Sequence, residues 1–163
     1  MRGLHRLETV LGPLQVAFDG DGALIYLGFA DHESRSSVLA KVARLGPVDA
    51  APGRALVDQL AAYAEGWRGP FTVPLRLHGT PFELRVWRQL LEIPWGETRS
   101  YGDLARRLGG VSLSRAVGRA NGANPVSILV PCHRVVGVDG SLTGYAGGLA
   151  MKARLLRLEG GLA

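Results

Sequence analysis

Apolar and polar positions alternate in three short runs near the start of the chain, Leu4–Thr9, Leu14–Phe18 and Ala23–Phe29. Gly12-Pro13 separates the first two, and Asp19-Gly20-Asp21-Gly22 separates the second from the third. A period of two marks strands, and the Asp/Gly tetrad is a hairpin signal, so this stretch predicts an antiparallel meander. The period then changes. Val38, Val42 and Leu45 within Ser34–Leu45, and Leu56, Leu60 and Tyr63 within Arg54–Glu65, recur every three or four residues. Two helices are expected there, stopped by Gly46-Pro47 and Gly66.

After Phe71-Thr72-Val73-Pro74-Leu75, the segment Leu77-His78-Gly79 reads as a linker, because a new helix opens directly behind it. Thr80 is its N-cap, Pro81 takes the first helical position and Glu83 closes a capping box. Phe82, Val86 and Leu90 form its apolar face, and Ile93-Pro94 ends it. Ser100 caps a second helix, Tyr101–Leu108, which Gly109-Gly110 breaks, and a third starts at Ser112 or Ser114 and runs to about Gly122. Two short helices around a glycine turn form either an ordinary helical hairpin or a helix-turn-helix. Arg115 and Arg119 share one face of the third helix, while Ala116, Gly118, Ala120, Gly122 and Ala123 leave it nearly bare of bulk. A helix pressed against a nucleic-acid groove needs that combination.

The apolar run Val126–Val130 lies between Pro125 and Pro131 and is expected to be a buried extended segment delivering Pro131-Cys132-His133-Arg134-Val135 to a fixed place. A last helix is expected over Met151–Glu159. The fold class is therefore α+β: an N-terminal domain of antiparallel sheet and helices over 1–78, and a mainly helical domain over 79–163.

Cys132 is the single cysteine, so no internal disulfide is possible, and the four histidines have no zinc-like spacing. Neither metal nor cofactor is expected. A lone thiol is either a small buried hydrophobe or a nucleophile, and a nucleophile needs a base or a positive environment to become thiolate. His133 is adjacent, but neighbours in extended chain point apart, so a turn or a water would have to connect them. The net charge of +5 is uneven: residues 1–80 hold eight basic and eight acidic side chains, and residues 81–163 hold eleven and six. The excess lies in the half containing Cys132, which suits a polyanionic partner or reflects an arginine-rich proteome. No apolar run reaches the roughly 20 residues of a membrane span, and no secretory leader is recognisable, so a soluble, cytoplasmic protein of bacterial or archaeal type is expected.

Pro131-Cys132-His133-Arg134-Val135 resembles the active-site signature of the O6-alkylguanine-DNA alkyltransferases. The similarity extends through Gly79-Thr80-Pro81-Phe82, Val86-Trp87, Ile93 to Tyr101, Arg115-Ala116-Val117-Gly118, Asn124-Pro125, Gly144 to Gly148 and Leu155 to Gly160. It covers essentially all of residues 79–160, in order, whereas the first half matches only in size and strand content. The resemblance implies that the mainly helical C-terminal domain is a winged helix-turn-helix, and that the protein repairs DNA by irreversible, single-turnover transfer of an alkyl group from O6-alkylguanine, with O4-alkylthymine a further candidate, to Cys132. His133 would activate the thiol through water, Glu159 would orient His133, and Tyr101 would hydrogen-bond guanine N3. Arg115 would enter the stack of double-stranded DNA from the minor groove, with Ala116, Arg119 and Ser100 as further DNA contacts. Asn124, Val135, Tyr145, Ala146, Gly147 and Lys152 would form the substrate pocket or its rim. The protein would act as a monomer. This chain departs from many relatives at Ala146, where a serine hydroxyl is common, and at Gly122, where some carry a second basic residue. Two other classes are weighed against this reading: a lesion-sensing binding module, in which the cysteine is replaced, and a cysteine hydrolase, which needs a separated histidine and an oxyanion hole.

Overall fold

The computed structural model describes residues 4–44 and 54–161. The chain divides into two compact units, Met1–His78 and Gly79–Ala163.

In the first unit, β1 (Leu4–Thr9), β2 (Gly12–Phe18) and β3 (Leu24–Phe29) form the expected antiparallel meander in the order β1-β2-β3. Asp19 shapes the β2–β3 turn by accepting from the amides of Asp21 and Ala23 at 2.9 and 3.0 Å, the side-chain turn mimicry that favours Asp there. β1 keeps an exposed alternate face, but β3 is buried along its whole length. Its outer edge is covered in part, since Leu24 N donates to Pro74 O and Arg76 N to Leu24 O, which removes a template for edge pairing. Helix α1 (Arg35–Ala43) is capped by Ser34 and sets Val38 and Val42 against Leu4, Ala17, Ile25 and Tyr26. Helix α2 (Arg54–Ala64) buries Leu56, Leu60 and Tyr63. Leu45 and the stop at Gly46-Pro47 lie outside the described residues.

The second unit begins with α3 (Pro81–Leu91), whose capping box is complete: Thr80 Oγ1 accepts from Glu83 N and Glu83 Oε1 from Thr80 N. Gly79 has no room for a side chain, because a Cβ there would lie 2.5 Å from the Trp87 ring. Trp87 in turn donates to Ala120 O at 2.8 Å, joining α3 to the third helix of the unit. Helix α4 (Tyr101–Leu108) has the Ser100–Asp103 capping box and ends at Gly109, whose φ of 145° is open to glycine but rarely to other residues. A 3₁₀ turn at Val111–Leu113 leads into α5 (Ser114–Gly122), so the helix-turn-helix pair is present and the later of the two expected starts is the observed one.

The run Val126–Val130 is buried as expected but is not extended. Leu129 N donates to Ser127 O, Val130 N donates to Val126 O, and Ile128 takes a left-handed φ of 73°. The turn wins because Asn124 supplies partners that a strand would have needed from a neighbour. Its Oδ1 accepts from Val126 N at 3.0 Å and its Nδ2 donates to Val130 O at 2.8 Å. Cys132–Arg134 is a 3₁₀ turn, followed by β5 (Val135–Val136), which pairs in parallel with β4 (Arg99–Ser100). Helix α6 (Leu149–Leu158) closes the described chain, with Glu159 as its C-cap.

Candidate active site

Cys132 sits at the start of the 3₁₀ turn, buried, and lines a cleft of about 190 Å³. Around it the cleft is formed by Tyr101 of α4, Gly118, Asn121 and Gly122 of α5, and Gly144, Tyr145 and Ala146 of the loop before α6. One helix thus has two tasks: α5 turns Gly118, Asn121 and Gly122 to the cleft while Arg115 and Arg119 are exposed. The turn at 132–134 takes His133 out of the direction that an extended chain would impose and sets its ring against Glu159.

His133 is fully buried, and its Nε2 lies 2.8 Å from Glu159 Oε2. An ionised carboxylate only accepts, so Nε2 carries the proton and Nδ1 is left as the acceptor. Nδ1 has no hydrogen-bond partner. Glu159 is not a surface acid at a helix end. It is buried, and Arg134 grips both its oxygens, with Nε 2.8 Å from Oε1 and Nη2 3.0 Å from Oε2, while Nη1 donates to Ile93 O at 2.7 Å. Arg134 therefore offsets the charge that would be costly in that place.

Burial dominates the titration of this group. It pushes the Cys132 thiol above its ordinary value, against a hydrogen bond from Asn124 and the positive charge of Lys152. It pushes His133 below its ordinary value, helped by Arg134 and Lys152 and opposed by Glu159. Thiol and imidazole are thus both neutral at rest, and proton transfer between them creates an ion pair for which Glu159 and Lys152 are already in place.

Three of the residues expected at the pocket do not line it. Val135 is committed to β5 and the core, Gly147 is buried inside the turn that Gly148 N closes onto Tyr145 O, and Lys152 is wholly buried beneath the loop. The Lys152 ammonium holds three carbonyls, those of Val135, Thr143 and Gly144, at 2.6, 2.6 and 3.4 Å, and burial lowers its pKa to about 8. Ser100 accepts from Asp103 N as a cap. Ala116 is half-buried beside Arg115. Sequence reasoning gave no role to Arg134 or Asn121. Asn121 sits within α5 and donates to Cys132 O at 3.4 Å, and a signal was available, since asparagine is a poor helix former that interior positions tolerate for a reason.

Residues 81–161 match the family described as the 6-O-methylguanine DNA methyltransferase DNA-binding domain. The methylated-DNA–protein-cysteine methyltransferase of Methanosarcina acetivorans is 44% identical over 153 residues, covering 94% of this chain and 95% of that protein. The chain belongs to this methyltransferase family. The family member of Mycobacterium bovis is 57% identical over 103 residues, which are 63% of this chain and 62% of that relative, so the match spans about three fifths of its length. The methyltransferase fold extends over both units. The Mycobacterium tuberculosis OGT solved in complex with DNA superposes with a TM-score of 0.82 at 43% identity, covering 96% of this chain and 92% of that one. No helix among the described residues is long and apolar enough to cross a membrane, and no group of three or more His, Cys, Asp or Glu among them could hold a metal ion.

Proposed function

We propose that this chain repairs DNA by taking the alkyl group of O6-alkylguanine, and O4-alkylthymine as a second substrate, onto Cys132. The observation that carries the reading is the single thiol in a cleft, next to an imidazole whose tautomer is fixed by a buried carboxylate. His133 Nδ1 takes the thiol proton through a water, and Glu159 stabilises the imidazolium. The sulfur attacks the alkyl carbon, the S–C bond forms as the C–O bond breaks, and the electron pair stays with the guanine oxygen. A hydrogen bond from Tyr101 to N3 helps the leaving base accept a proton. The product is a thioether with no route back to thiolate, so each molecule reacts once.

The reading extends to the partner. Inside a duplex the O6 substituent lies on the major-groove edge, out of reach of a buried thiol, so the nucleotide is flipped into the cleft at a cost of a few kcal/mol. The exposed face of α5 docks in the minor groove, Arg115 fills the vacated stack, and Arg119 meets phosphate. The protein works as a monomer in the cytoplasm, 1–78 as scaffold and 79–163 as the DNA-binding and acceptor domain. The relative solved with DNA supports the choice of partner.

Intact-protein mass spectrometry after incubation with an O6-methylguanine duplex tests this. The wild type should gain a methyl in place of the thiol hydrogen and Cys132→Ala should gain nothing while binding DNA within a few-fold. A methylated Cys132→Ala would overturn the assignment. With a labelled methyl group, label kept on DNA would indicate a lesion sensor, and label released as a small product would indicate a hydrolase.

A further inference from the structure

Tyr101 lines the cleft, and its phenol oxygen lies 3.0 Å from Oγ1 of Thr143, next in the chain to the cleft residue Gly144. Thr143 is exposed, yet its backbone is held, because its carbonyl accepts from the Lys152 ammonium, which also holds Val135 O next to the reactive turn. Lys152 is fully buried, so the carbonyls of Val135, Thr143 and Gly144 stand in for the water that a cation needs. The cation on α6 therefore fixes where the Thr143 hydroxyl sits relative to Tyr101.

A phenol has one proton to give. If Tyr101 donates to Thr143, nothing is left for a base in the cleft, whereas if Thr143 donates to the phenol oxygen, the phenol proton points elsewhere. We propose that Thr143 is a positioning residue that donates to Tyr101 and aims the phenol proton at the base entering the cleft. Donation to the phenol oxygen also polarises the O–H bond, as successive hydrogen bonds strengthen one another. No proton changes owner between the two side chains. The inference rests on the assignment of Tyr101 to the leaving base made above.

The test is single-turnover transfer from an O6-methylguanine duplex at saturating DNA, comparing Thr143→Val, Thr143→Ser and each of them combined with Tyr101→Phe. Loss of one neutral hydrogen bond should slow Thr143→Val about threefold to tenfold. Thr143→Ser should stay within about twofold of wild type, and DNA affinity should hold within the same range in both. In the Tyr101→Phe background, Thr143→Val should add nothing, and direct alkylation of Cys132 by iodoacetamide should be unchanged in the Thr143 single variants. An unslowed Thr143→Val, a Thr143→Ser as slow as Thr143→Val, or full additivity with Tyr101→Phe would each overturn the role of Thr143. If Tyr101→Phe itself reacts at the wild-type rate, the assignment of Tyr101 falls and this inference falls with it. A slow Tyr101→Phe beside an unslowed Thr143→Val would overturn the positioning role alone.

Discussion

Cys132 and His133 are neutral until they react, and that sets the pH dependence. Burial holds the Cys132 thiol above its ordinary range and His133 below 6.5. Neutral imidazole is the active base, so the wild-type rate should stay level as pH falls from neutral and decline only once His133 protonates below 6.5. His133→Ala and Glu159→Ala must rely on hydroxide, so their single-turnover rates should climb about tenfold per pH unit until the thiol itself ionises. Each should lose about 10²-fold at neutral pH, and the double variant little more, because a carboxylate that only orients an imidazole has no purpose without it. Fully multiplicative losses would assign Glu159 an independent task. Arg134 makes a separate prediction. Arg134→Met leaves Glu159 buried with neutral His133 as its remaining charge-assisted partner from this turn, and removing one member of a buried pair costs about 3 kcal/mol. Urea unfolding measures that loss, and a change below about 1 kcal/mol would show that Glu159 is solvated in another way. The family resemblance pointed to Cys132, His133 and Glu159, but it gave Arg134 no role, because the guanidinium's grip on Glu159 depends on how α6 returns that carboxylate to the turn.

At the scale of elements, legibility followed how local the determinant is. The capping boxes of α3 and α4 involve residues three apart, and the sequence predicted the α3 box and the Ser100 cap of α4 to the residue. The 126–130 segment was misjudged as extended, since its composition suits a strand and the deciding partner, the Asn124 side chain, acts across a turn. The two-residue pairing of β4 with β5 joins residues 36 apart and left no period to detect. Helix α5 shows what its glycines do. Gly118 faces the cleft, and an added Cβ would lie 3.9 Å from the Tyr101 ring, an ordinary contact. Gly118→Ala should therefore stabilise the free protein by about 0.5–1 kcal/mol, the usual helix-interior gain over glycine. The same methyl narrows the cleft beside Tyr101, so transfer should slow more for O6-benzylguanine than for O6-methylguanine in DNA. Thermal unfolding and paired single-turnover rates check both halves, and equal slowing on the two substrates would show that the glycine serves backbone approach to DNA rather than cleft width.

For the whole molecule, the two units differ in what their sequences disclose. The period of the strands and helices outlined the first, but the pairing of Arg76 with Asp19 and Asp21 there ties down the β2–β3 turn and suggests no chemistry. The second carries five more bases than acids, and much of that excess cannot reach a partner: Arg134 is tied to Glu159 and Lys152 is buried. Arg115 and Arg119 are exposed on α5, and these are the two cations proposed above to face nucleic acid. Their proposed tasks separate in the salt dependence of binding. A side chain that neutralises one phosphate releases condensed counterions, contributing about 0.9 to the slope of log affinity against log salt. Arg119→Ala should lower that slope by about 0.9, weaken binding to damaged and undamaged duplex alike, and leave the rate at saturating DNA unchanged. Arg115→Ala should slow transfer from duplex even at saturating DNA, because an extruded nucleotide with nothing in its place returns to the stack. Free O6-benzylguanine needs no extrusion, so it should react with Arg115→Ala at close to the wild-type rate. Equal losses on duplex and free base would mean that Arg115 supports the cleft rather than the flipped state. An unchanged salt slope in Arg119→Ala would move the phosphate contact to another residue.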